Sequence, residues 1–479
     1  MNLTNYFFQV KMSKYELHTS LYSPHQEDGV KWMNQMENQL NGPKGGFLCD
    51  EMGLGKTVQI IATILKNPKQ HTLIVVPKTL VLQWKSEIKK FASGLDVLVY
   101  DGKNKTNDTN GISLYDIVVT SYPTVCSKAS TLHSLTWDRI VLDEAHEIRN
   151  RKTQTFKKIN ALKSSIRWIV TGTPVFNSME DFVSLCEFVG FSKNTVQAMH
   201  DKIKDIYILR RTKADGHISL PFCHFENVEL DMFDEERKLY ECAFAEAQDS
   251  ITQVMRESIS LHRRNMHMLE CLLRMRQLMR WPQLYFDGVA KSGEQIPEIW
   301  THSTHKMSRL FQELASHPTE KAVIFCTFKG ELDYIEKHLA CPTFRIDGNV
   351  EKDERQRQVE LFDNAPDNSV MLAQIKCGGV GLNIQCATRV YIMAPSWNPA
   401  TELQAIGRCH RSGQINDVFV KKLVYKDTPI ARSVELAMMS LQGHKSILCA
   451  DVLNDKRVEN QIPIRQEKTM DAIRKIFRA

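Results

Sequence analysis

Residues 45–57 read Gly45-Gly46-Phe47-Leu48-Cys49-Asp50-Glu51-Met52-Gly53-Leu54-Gly55-Lys56-Thr57. A short apolar run, Phe47 to Cys49, leads into a glycine-rich turn that closes on Gly-Lys-Thr. An apolar helical pattern follows at once (Val58, Ile60, Ile61, Ile64, Leu65). Strand, loop and helix in this order predict a phosphate cradle, because glycines let backbone N–H groups converge on anionic oxygens and the helix N-terminus adds its dipole. Lys56 is expected at the β- and γ-phosphates of a nucleotide, and the Thr57 hydroxyl at Mg2+. Asp50, Glu51, Met52, Gly53, Leu54 and Gly55 make up the wall of the cradle. Asp50 stands where the general pattern has its first glycine. Alone, the stretch also fits a glycine-rich turn before a core helix, so the rest of the chain has to decide.

Upstream, Gln26 opens a helical pattern that runs through Val30 and Trp32. Its amide both donates and accepts, as reading an adenine edge requires. Downstream, Leu73-Ile74-Val75-Val76 is a β-branched run stopped by Pro77. Leu80, Trp84, Ile88 and Phe91 then repeat with helical spacing. Further strand-like runs at 96–100, 116–120, 139–143 and 167–171 alternate with helical ones. Such alternation predicts a parallel sheet covered on both faces. Ligands bind beyond the carboxyl ends of such strands.

Two motifs fall at those ends. Ile140-Val141-Leu142 runs into Asp143-Glu144-Ala145-His146. Asp143 is expected to hold Mg2+ and Glu144 to orient and deprotonate an attacking water. An acidic helix N-cap is the plain alternative. Ile169-Val170 leads to Thr171-Gly172-Thr173-Pro174, which reads as a coupling element once it follows the acid pair.

A second alternating unit starts at Lys306, with strands expected at 322–326, 344–346, 370–372 and 389–393. It has no Gly-Lys-Thr loop and is not expected to bind a nucleotide alone. Its glycine-rich turn, Lys376-Cys377-Gly378-Gly379-Val380-Gly381-Leu382-Asn383, brings Gly379 and Gly381 to a phosphate or a neighbouring lobe. In Gln404-Ala405-Ile406-Gly407-Arg408-Cys409-His410-Arg411, the two arginines stand three apart and are expected on one helical face. Aimed at a triphosphate, they would stabilise charge building on the γ-phosphate. Between the units, residues 234–280 contain no Pro or Gly and read as helical, with a basic face of His262, Arg263, Arg264, Arg274, Arg276 and Arg280. Residues 287–305 read as a linker.

The order of loop, acidic tetrapeptide (a DEAH box) and Thr-Gly-Thr-Pro resembles helicase superfamily 2. The phrase Asp50 to Thr57 is similar to that of its Snf2 branch. Leu209-Arg210-Arg211-Thr212-Lys213, Leu272 to Leu278 and the turns around Gly379 and Arg408 resemble Snf2 segments too. The likeness runs over residues 21–430. It implies an α/β fold of two tandem RecA-like parallel-sheet lobes with a helical protrusion between them. The domains expected are an N-terminal extension (1–20), an ATP-binding lobe (21–225), a protrusion and linker (226–305), a second lobe (306–445) and a basic tail (446–479). ATP and Mg2+ are the implied cofactors. Double-stranded DNA is the implied partner, beside chromatin or transcription-complex proteins. Two departures stand out: Trp281-Pro282 replaces a His-Pro, and Thr428-Pro429-Ile430-Ala431 leaves the following helix in question.

The 479 residues carry a net charge of +6, which is compatible with nucleic acid without requiring it. A hydrophobic share of 42% and a charged share of 25% fit a globular protein. No apolar run approaches the ~18 residues of a membrane span, and no signal-peptide pattern opens the chain. The expectation is an intracellular protein with no membrane partner, placed in the nucleus or at a site of viral DNA replication or transcription. The 12 cysteines include no C-x-x-C pair, against structural zinc. A nearly all-motor chain suits a compact, viral or partner-targeted member. A strand-separating DNA or RNA helicase and a catalytically silent nucleic-acid scaffold remain open as alternatives.

Overall fold

The computed structural model describes residues 16–18, 21, 24–106, 108–128, 130–172, 179–213, 215, 220–291, 293, 299–378, 383–411, 413–452 and 469–477. The described residues divide into two compact units, one up to residue 215 together with 447–452 and the other 220–446 together with 469–477. Each is an α/β unit built on a parallel sheet, as expected.

In the first unit the sheet has seven strands among the described residues. Their spatial order is Val97–Tyr100, Ile117–Ser121, Thr72–Val76, Thr136–Asp143, Lys163–Val170, Lys44–Leu48 and Ile208–Leu209. The runs Thr72–Val76 and Ile117–Ser121 are buried along their whole length, so both faces are covered. Register is what matters for function. Leu48 pairs with Val170, and Val170 pairs with Asp143. Three strands therefore stop at one level, and the segments that leave them start side by side.

Beneath that level sits a buried polar knot. Arg139 Nε donates to Glu37 Oε1 at 2.6 Å, and Trp168 Nε1 reaches the same oxygen at 2.9 Å. Asn67 Nδ2 donates to Glu37 Oε2 at 2.7 Å. It ties the helix His25–Asn38 to the two central strands.

The second unit has a six-stranded sheet among the described residues, in the order Cys223–Leu230, Val418–Tyr425, Arg389–Ile392, Ala322–Cys326, Val370–Gln374 and Thr343–Ile346. Alternation along the central strand splits the core in two. Val323 and Phe325 pack in one cluster, while Ala322, Ile324 and Cys326 pack in the other. The strand Cys223–Leu230 pairs with Val418–Tyr425 over eight residues and belongs to this sheet, across the position where the reading above puts a lobe boundary.

Helices Asp234–Arg256, Leu261–Leu278 and Pro282–Lys291 follow, so helix replaces the expected linker as far as Lys291. Arg280 is not on a basic face. It is fully buried, with Nη1 on Glu435 Oε1, and Lys306 Nζ donates to both Glu435 oxygens at 2.6 and 2.9 Å. A buried guanidinium needs a carboxylate, which sequence periodicity alone does not reveal. The helix left in question, Val434–Val452, forms, and Ser433 starts it: its Oγ donates to Tyr425 O and accepts from Leu436 N at 3.3 Å. Among the described residues no helix is long and apolar enough to cross a membrane.

Candidate functional site

The glycine-rich loop leaves the buried strand Lys44–Leu48 and enters the helix Lys56–Lys66. Gly53 and Gly55 take φ of +94° and +76°, a left-handed region that side chains avoid. A Cβ on Gly55 would lie 2.2 Å from Gln26 Nε2. Gln26 is itself buried and donates to Leu54 O at 3.1 Å, so it holds the loop from below. Gly55 caps the helix without a side-chain hydrogen bond. Lys56 Nζ donates to Asp50 O at 2.8 Å and Glu51 O at 3.3 Å, with its head inside the loop. Burial lowers its pKa, and the carboxylates of Glu144, Asp50 and Asp143 oppose that. Thr57 follows in the first helical turn, half-buried.

Next to this loop stands the acid pair. Among the described residues Glu144 is the one non-glycine with positive φ, at 51°. Its N–H donates to Val170 O at 2.9 Å and to Asp143 Oδ1 at 3.0 Å, and those bonds hold the left-handed turn. Trp84 Nε1 donates to Asp143 Oδ2 at 2.8 Å, and Tyr122 OH to Asp143 O at 2.8 Å. Burial, then the Glu144 charge, pushes the Asp143 carboxyl up to about 7 against the Trp84 bond and Lys56. Two adjacent acids with too little positive charge fit a site built for a cation. Thr57 and Asp143 are the residues that would hold Mg2+.

Glu144 is tied to the third segment. Thr171 Oγ1 donates to Glu144 Oε2 at 3.4 Å, and His146 Nδ1 lies 3.5 Å from the same oxygen. Burial alone would lower the His146 pKa, but the hydrogen bond and charge of Glu144 raise it on balance. Thr171 N donates to Leu48 O at 3.1 Å. A Cβ on Gly172 would stand 2.7 Å from Lys56 Nζ and from Met52 Cγ. Thr173 and Pro174 lie outside the described residues.

Two of the expected loop residues turn away from the cradle. Asp50 is fully buried, and its carboxylate accepts from Arg211 Nε at 2.9 Å and Gln59 Nε2 at 3.1 Å. Glu51 Oε2 accepts from Lys213 N at 2.9 Å. At these positions it is the backbone, through Asp50 O and Glu51 O, that faces Lys56. Met52, Gly53 and Leu54 lie in the turn itself.

In the second unit the helix Pro399–Ile406 ends before the arginines. Arg408 and Arg411 therefore lie in the turn beyond it, not on one helical face. Gly407 is the C-cap, and Arg408 O accepts from Ile384 N at 3.0 Å. Gln414 Nε2 pins the turn to Gln385 O and Cys409 O at 2.8 and 3.1 Å. Gly379 and Gly381 fall outside the described residues.

Sequence reasoning missed Trp84 and Tyr122. Trp84 sits in a run that repeats with helical spacing, which gives it no role in the site. Its indole N–H, which needs a partner when buried, was the available signal.

Comparison with known proteins shows what the two units resemble. Residues 25–201 match the SNF2-related domain, and residues 305–413 the helicase conserved C-terminal domain. A relative from Arabidopsis thaliana, DNA repair protein RAD5B, is 28% identical over 87% of this chain and 46% of its own length. The human SWI/SNF-related matrix-associated actin-dependent regulator of chromatin subfamily A member 1 is 30% identical over 86% of this chain and 42% of its own. The chain thus spans less than half the length of these relatives. A solved structure, the Sulfolobus solfataricus SWI2/SNF2 ATPase core in complex with dsDNA, aligns over 97% of this chain and 98% of that chain at 27% identity, with a TM-score of 0.41.

Proposed function

From an SNF2-related domain and a helicase C-terminal domain joined in one chain, we infer an ATP-dependent motor that moves along double-stranded DNA and remodels or displaces protein–DNA complexes. The observation that carries this reading is the common level at which Leu48, Asp143 and Val170 end their strands. It sets a lysine, an acid pair and a threonine hydroxyl around one loop.

Each group then has a task. Lys56 and the loop amides bind the β- and γ-phosphates. Thr57 and Asp143 would hold Mg2+, which when bound would neutralise charge on the phosphate oxygens. Glu144 orients a water and takes its proton as the water oxygen bonds to the γ-phosphorus and the bond to ADP breaks. Thr171 and His146 fix the Glu144 carboxylate. Arg408 and Arg411 are the second unit's candidates for stabilising the transferring phosphoryl group. Contacts mainly to phosphates would make DNA binding tolerant of sequence and sensitive to salt. The names of the relatives, a DNA repair protein and a regulator of chromatin, support a role on DNA-bound complexes. The proposed place of action is the nucleus or a site of viral DNA replication or transcription.

The test is ATP hydrolysis by the purified chain, alone and with duplex DNA, single-stranded DNA or RNA, with Glu144→Gln as control. Stimulation by duplex, lost in the variant, and ATP-dependent displacement of a triplex strand are expected. Stimulation by single strands or RNA alone would replace the translocase by a strand-separating helicase. No hydrolysis on any nucleic acid would favour a silent scaffold.

A further inference from the structure

Residues 209–213, Leu209-Arg210-Arg211-Thr212-Lys213, run alongside the glycine-rich loop in the same direction. The strands Lys44–Leu48 and Ile208–Leu209 pair in parallel, and the pairing continues past both. Cys49 N donates to Leu209 O at 2.8 Å, and Glu51 N to Arg211 O at 2.8 Å. Lys213 N returns a bond to Glu51 Oε2 at 2.9 Å.

Two consecutive guanidinium groups complete the join. Arg210 Nη1 donates to Cys49 O at 2.8 Å and Gly172 O at 3.3 Å, bridging the start of the loop and the turn after Thr171. Arg211 grips the Asp50 carboxylate with both Nε and Nη2, gives Nη2 also to Gln59 Oε1 at 2.8 Å, and gives Nη1 to His25 O. Its own N–H reaches Asp50 Oδ1 at 3.1 Å. Asp50 O in turn accepts from Lys56 Nζ at 2.8 Å. A planar fork on a buried carboxylate fixes orientation as well as distance.

We propose that Arg211 is the positioning residue of the phosphate loop, and that residues 209–213 form a latch holding the loop in its nucleotide-binding conformation. Arg211 spends its donors on Asp50, Gln59 and His25, so it acts on the nucleotide through Asp50 and Lys56. This is why an acid occupies the position where the general loop has glycine: Asp50 is the keeper of the latch. The proposal rests on the nucleotide reading for its functional half. Its structural half stands apart from that reading.

The experiment uses the full chain with Arg211→Ala, Arg211→Lys and Asp50→Asn, each checked for an intact melting transition. Amide hydrogen exchange at Cys49 and Glu51 is read without nucleotide. The dissociation constant of a fluorescent ATP analogue, and KM and kcat with duplex DNA, are then measured. Arg211→Ala is expected to speed exchange at both amides and to raise Kd and KM by roughly tenfold or more, within the ~10²-fold that a ~1 Å misplacement can cost. Binding of duplex DNA without nucleotide should stay unchanged. Arg211→Lys should recover part of the loss, because one charged donor replaces the fork. Faster exchange in a protein whose wild type binds no ATP would keep the latch and sink the nucleotide reading. A folded Arg211→Ala or Asp50→Asn chain with wild-type exchange and Kd within about twofold of wild type, below the ~tenfold step of 1.4 kcal/mol, would overturn the latch.

Discussion

Trp84 Nε1 donates to Asp143 Oδ2 at 2.8 Å across 59 residues of chain. A helix that follows one strand thus sets the carboxylate that ends another. With Glu144 N on Oδ1, the indole on Oδ2 fixes the orientation of the carboxylate. It also opposes the burial and the Glu144 charge that push the carboxyl up to about 7. What looks like a core tryptophan is part of the site.

Trp84→Phe keeps the ring and removes the donor. A hydrogen bond to a charged group contributes about 1.5–3 kcal/mol, so the Asp143 carboxylate should become harder to ionise. We expect kcat to fall by about tenfold, with the acid limb of the pH–rate profile moved to higher pH. Steady-state ATPase assays across pH check this. An unmoved acid limb would count against the assignment.

Asp143 also makes metal binding depend on pH. Its raised folded pKa means that between pH ~4, where an unfolded aspartate ionises, and about 7, the metal-free fold holds a proton the unfolded chain has lost. The stability of the metal-free first unit should therefore fall as pH rises through that window. Mg2+ should reverse the trend and should release a proton on binding below pH 7. Titration calorimetry in buffers of differing ionisation enthalpy, at pH 6 and 8, measures the proton count.

Gly172→Ala places a methyl 2.7 Å from Lys56 Nζ and Met52 Cγ, with no demand on its own φ. The lysine head, being flexible, must move while the sheet beneath stays as it is. KM for ATP should rise several-fold, roughly 1 kcal/mol of lost binding, and the melting temperature should change little. Equal losses in melting temperature and affinity would point to a folding defect instead.

Glu37→Ala leaves the Arg139 guanidinium buried without its carboxylate and removes the acceptor of Trp168. Breaking a buried pair from one side costs about 3–5 kcal/mol. In urea, a transition followed by probes in the first unit should shift to lower denaturant. One followed in the second unit should not, because the knot lies wholly within the first. Coincident shifts would mean that the units unfold together.

The periodic and punctuated parts of the chain were readable directly. The strand-like runs read at 73–76 and 116–120 became the buried parallel strands Thr72–Val76 and Ile117–Ser121, and Gly53 and Gly55 took the positive φ that the loop needs. Other parts misled for local reasons. Arg408 and Arg411 were placed on a helix because their spacing is helical, but the helix stops at Ile406. Arg280 was placed on a solvated face, yet it lies in the core of the second unit with Glu435, 155 residues away. Asp50 was counted with the cradle, and its side chain serves Arg211, 161 residues on.

The sequence by itself determined the order of the chemistry: a glycine-rich loop, an acid pair and a threonine turn, each at the end of a strand, and then an arginine turn after a helix. Those features depend on residues near in sequence, on period, glycine and proline, and local physics is enough to read them. Only the tertiary structure decided which side chains stand behind them. Register brought Leu48, Asp143 and Val170 to one level. Burial then obliged Trp84, Arg211 and Glu37 to find distant partners, because a polar group removed from water must be matched wherever the fold brings a complement.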